Sequence, residues 1–73
     1  MNQESFSRLF ADRGATQYAT DALARAARDA RARELRRGGR AVRSWTLPNQ
    51  IRPYSGFGQP DGGICNVYMI NVS

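Results

Sequence analysis

The chain has no lysine, no histidine, one cysteine and no long apolar run. Each absence closes a class of function. Without histidine or lysine, and with its acids scattered, it offers no acid–base set, so an enzyme is not expected. Cys65 alone makes no internal disulfide and, with no histidine beside it, leaves a zinc site short of ligands. As a nucleophile it has no identifiable activating base, and a small buried hydrophobe in a strand is the simpler reading. Gly56-Phe57-Gly58 and Gly62-Gly63 lead into no helix start, and the lysine of a phosphate-cradling loop is missing. No catalytic residue, cofactor, metal or small-molecule substrate is therefore assigned. Nothing approaches the ~18 apolar residues of a membrane span, and the polar stretch Met1–Phe10 lacks the core of a signal peptide. A cytoplasmic or virion location follows, without secretion by a signal peptide and without a membrane partner.

What the chain does have is arginine, and it is unevenly placed. Arg31, Arg33, Arg36, Arg37, Arg40 and Arg43 stand against one acid, Glu34, and this segment carries the whole net charge of +5. Codon bias accounts for a count of arginines but not for their clustering. Guanidinium groups make planar bidentate contacts to phosphate or carboxylate, so these six are the candidate site for an anionic partner. Two partners fit. One is nucleic acid, bound through phosphates without sequence preference, with Trp45 stacking on a base. The other is the acidic surface of neighbouring protein subunits. The plain alternative is a solvated basic face.

Along the chain, Phe6, Leu9 and Phe10 fall at i, i+3 and i+4, which predicts a short amphipathic helix over residues 3–13 ending at Gly14. A longer helix is predicted over 17–37, capped by Thr16 or Thr20 and stopped by Gly38-Gly39. Its apolar face reads as Ala19, Leu23, Ala26, Ala27 and Ala30, and it runs out about two turns before the helix does. Residues 39–73 change character, with glycine, proline and aromatics replacing alanine. They predict an extended arm, a turn at 60–63 and a strand over 64–72. That strand carries Ile64, Tyr68, Ile70 and Val72 on one side and Cys65, Val67 and Met69 on the other, the pattern of a strand covered on both faces.

A chain of 73 residues buries only roughly 60–65% of its unfolded surface. With disulfide and metal excluded, a partner subunit is the remaining support. The expected fold is thus a small, mostly non-globular α+β chain: a two-helix element (1–38), then an arm and a strand (39–73) completed by a partner chain through strand addition, the alternative being a local hairpin with Gln50 to Phe57 folded under Trp45. Phe6, Leu9, Phe10, Trp45, Tyr54, Phe57, Ile64, Val67, Tyr68 and Ile70 are the candidate protein interface. A short charged helix with an aromatic, glycine-rich arm ending in an apolar strand resembles, in composition, the minor proteins of phage particles, as in capsid, connector or tail. The expected function is an accessory structural subunit of a large assembly, binding other subunits in many copies. Sequence-independent nucleic-acid binding through Arg31–Arg43 is the alternative.

Overall fold

The N-terminal segment is a strand, β1 (Asn2–Ser7), where a helix was expected. Three apolar residues at helical spacing are a short signal, and the polar residues around them, Asn2, Gln3, Ser5 and Ser7, do little to support a helix of three turns. In the computed structural model, which describes residues 2–52 and 63–73, Phe6 and Phe10 lie on opposite sides of a sheet, because the chain reverses between them. A one-turn 3-10 helix (Ala11–Arg13) closes that reversal on Gly14, whose φ of 85° suits a residue without Cβ. The two-residue strand β2 (Thr16–Gln17) then lies parallel to β1.

One helix follows, α1 (Asp21–Arg37). Thr20 caps it by accepting the Leu23 N–H at 3.1 Å. Its end is a Schellman turn: Gly39 at φ 85° donates to the Arg36 carbonyl, and Arg40 donates to that of Leu35. Strands β3 (Val42–Arg52) and β4 (Gly63–Val72) complete a mixed sheet in the order β2-β1-β4-β3.

The expected two-helix element and partner-completed strand are both overturned. The described residues form a small α+β domain with one α-helix on a four-stranded mixed sheet. Strand β4 sits inside that sheet, paired antiparallel with β1 on one side and β3 on the other. One of its apolar faces is covered from within the chain, and the other is covered in part. On one, Phe6, Tyr68, Ile70 and Val72 pack beneath Ala24 and Ala32 of the helix. On the other, the reversal after β1 folds Phe10 and Ala15 over Cys65, with Leu9 and Val67 alongside. The expectation failed because it treated the N-terminal segment as a helix, whereas β1 pairs with β4 and the turn after it covers Cys65.

The helix also packs on a different stripe from the one expected. Ala24, Arg28 and Ala32 are buried, Ala27 and Leu35 join the core, and Leu23, Ala26 and Ala30 face solvent. In an alanine-rich helix, small residues occur on every side and hydrophobicity barely sets the phase. Leu35, the one large apolar residue near the C-terminal end, carries the buried stripe into the last turn. Strand β3 is divided by a bulge: its register against β4 shifts between Leu47 and Gln50. Pro48 lies there beside Asn49 at φ 56°, whose N–H is taken by the Asn66 side chain at 3.1 Å.

Candidate functional site

The fold disperses the arginine cluster. Arg31 crosses to β1 and holds both carboxylate oxygens of Glu4, at 3.1 and 3.3 Å. That hydrogen bond and the carboxylate charge raise the Arg31 guanidinium further above its ordinary value. Arg36 Nη2 donates to the Val42 carbonyl at 3.1 Å, and Arg40 reaches the Ser73 carbonyl oxygen at 3.3 Å. These three tie the helix and its following turn to the sheet. Arg37 lies on the outer face of α1, Arg33 lies between that face and the groove beside Ser44, and Arg43 lies on the far side of the sheet, opposite Asn71. Among the described residues these last three make no hydrogen bond or ion pair. The six guanidiniums therefore form no single surface.

An arginine outside that cluster takes the most structural position. Arg28 is buried; it donates from Nε to Asp29 at 2.6 Å and from Nη1 to the Trp45 carbonyl at 2.7 Å, and it lies 5.5 Å from the centre of the Tyr68 ring. Sequence analysis did not single out Arg28, because its charge is offset by acids elsewhere in the chain. The signal that would have found it is its spacing, four residues from both Ala24 and Ala32, which places it on their face.

Of the expected protein-interface residues, Phe6, Phe10, Tyr68 and Ile70 are buried in the chain's own core. Leu9 and Val67 are partly buried against Phe10. Tyr54, Phe57 and the 60–62 part of the predicted turn lie outside the described residues, and Gly63 begins β4. Trp45 and Ile64 remain at the surface to different degrees, and the structure adds two residues to them, Leu47 and Ile51.

Two surfaces result. Opposite the helix, cross-strand pairing brings Trp45 beside Met69 and Leu47 beside Val67. The helix covers neither pair, and a groove of about 190 Å³ runs from Leu47 and Met69 to Phe10, Arg13 and Ala15. The described side chains on this face include Arg13 and Arg43 and no acid. The second surface is the far end of the β3–β4 ladder, where the paired Ile51 and Ile64 are 67% and 57% exposed. They point to the helix side but lie beyond its reach. Among the described residues, no three histidine, cysteine, aspartate or glutamate side chains converge as metal ligands, and no helix is long and apolar enough to cross a membrane. Compared with known proteins, the chain matches no family, no curated protein and no solved structure.

Proposed function

We propose that this protein is a small structural subunit of a protein assembly, docking on its neighbours through the sheet face that the helix leaves uncovered. The observation that carries this reading is the strip Trp45, Leu47, Val67 and Met69, an apolar surface on a domain that spends its one helix on the other side. Apolar area of this kind gains roughly 25 cal/mol per Å² when a partner removes it from water. Trp45 is the anchor type found at interface centres. Exposed Ile51 and Ile64 extend the apolar surface along the ladder. The arginines support the same reading indirectly. Arg31, Arg36 and Arg40 are engaged within the chain, which leaves a discontinuous set for tracking a phosphate backbone.

Sedimentation of the purified chain, alone and with duplex and single-stranded oligonucleotides at low and moderate salt, tests this. The expected result is concentration-dependent association above the 8.1 kDa monomer, unchanged by oligonucleotide and weakened by Leu47→Asp. Salt-sensitive co-sedimentation of a folded monomer with nucleic acid would sink it and favour phosphate binding instead.

A further inference from the structure

The outer edge of β3 carries the next inference, which rests on the assembly reading. Among the described residues no strand pairs with that edge. Ser73 donates its N–H to the Ala41 carbonyl at 3.1 Å, in line with the register that pairs Val42 with Val72. Antiparallel ladders alternate, so this bond sets the phase. Arg43, Trp45 and Leu47 turn their backbone groups toward β4, and Val42, Ser44 and Thr46 turn theirs outward. The Arg36 side chain, which meets the Val42 carbonyl from outside the ladder, agrees with that phase. Natural edges are blunted by charge, proline or bulges. Here proline and bulge come only at Pro48-Asn49, which leaves a run from Val42 to Leu47 with one charge of its own, Arg43, and the Arg36 guanidinium on the Val42 carbonyl at its start.

We propose that a second copy of this chain adds across this edge, β3 antiparallel to β3, with the two-fold axis at Ser44. The geometry selects that register. Facing residues in an antiparallel pair share a sheet face, and only outward-turned residues can exchange hydrogen bonds, so Val42, Ser44 and Thr46 must meet one another. Centring on Val42 would stack Arg43 near its own mate and shorten the ladder. Centring on Thr46 or on Trp45 brings Pro48, which has no N–H, into the pairing. With Ser44 on the axis, Ser44 faces its mate, Val42 faces Thr46 of the second copy, and Arg43 lies opposite Trp45 of the second copy, twice. That last pair is a cation over an indole.

Charge on the helix side agrees. Arg36 reaches the Val42 end of the strand, and Arg28, beside Asp29, reaches the Trp45 end, so α1 runs antiparallel to β3. Asp29, Arg33 and Arg36 line the groove between α1 and Ser44. The two-fold therefore sets Arg36 of each copy toward Asp29 of the other. Arg33, nearest the axis, meets its mate, with an Asp29 one turn away on each helix. The product is an eight-stranded sheet whose two uncovered Trp45 strips join into one face.

Oxidative cross-linking of the full-length chain tests the register. Ser44→Cys is expected to give a covalent dimer on a non-reducing gel. Thr46→Cys is expected to give none, since its two copies stand four residues apart along the strand, about 13 Å. Cys65 is buried and does not compete. Ser44→Pro removes an outward N–H without touching the ladder to β4 and is expected to halve the sedimenting mass. Arg43→Glu, which leaves the backbone alone, is expected to weaken self-association about tenfold. Cross-linking at Thr46, or at neither site, in a chain that still associates would overturn the edge proposal and leave the assembly reading standing. A chain that stays monomeric at all concentrations and binds oligonucleotide overturns both.

Discussion

At the scale of single residues, two buried polar side chains hold the turns of this fold in place, and neither stands out by composition. Ser7 is fully buried; its Oγ accepts the Phe10 N–H at 2.9 Å and its carbonyl accepts the Tyr18 N–H at 2.9 Å. Ser7→Ala strands the Phe10 donor inside the second cluster and is expected to cost about 1–2 kcal/mol, read from urea denaturation midpoints. Arg28 combines a buried stem with two hydrogen bonds. Arg28→Ala is expected to lose about 2 kcal/mol, and Arg28→Met to recover part of it by refilling the space over Tyr68. If the two variants are equally stable, the stem contributes nothing and the hydrogen bonds carry the whole effect.

At the scale of elements, α1 is the piece most fully written in local sequence. Thr20 before Asp21, a run of strong helix formers and Gly38-Gly39 after it supply start, middle and stop. Thr20→Ala is expected to cost about 1 kcal/mol, measured as a lowered thermal midpoint with the native circular dichroism spectrum retained. The buried face of the helix was not legible, because alanine on every side leaves its rotation to be chosen by what lies beneath. The identity of β1 was not legible either. Phe6, Leu9 and Phe10 satisfy helical spacing, yet six residues of β1 register against β4, and that pairing is contributed by residues sixty or more positions away. Of the candidate site, Trp45 was readable as an anchor type, and the structure leaves it half-buried. Leu47 was not, since its exposure depends on which side of the sheet the helix takes.

At the scale of the whole molecule, β4 joins both ends of the chain into one sheet, and its removal is expected to do more than delete a contact. Truncation after Gly63, which removes Ile64–Ser73, takes away the partner of both β1 and β3. The shortened chain is expected to show no cooperative thermal transition by circular dichroism; a native-like transition would mean that β1 and β3 find another arrangement. The radius of gyration is 13.2 Å, above the ~11 Å of a compact chain of this length. The β3–β4 ladder runs past the helix and carries Ile51 and Ile64 outside the core.

Sequence alone determined the quantities that depend on neighbours along the chain: the helix with its cap and stop, the strand character of residues 64–72, and a net charge concentrated between Arg31 and Arg43. Only the tertiary structure decided which surfaces exist. Positions far apart in sequence had to meet before Phe6 could be core, before Arg31 and Arg40 could reach a carboxylate and a carbonyl, and before Trp45 and Met69 could share an uncovered face. The physical reason is range. Capping and propensity act within one turn, whereas burial depends on the sum of distant contacts.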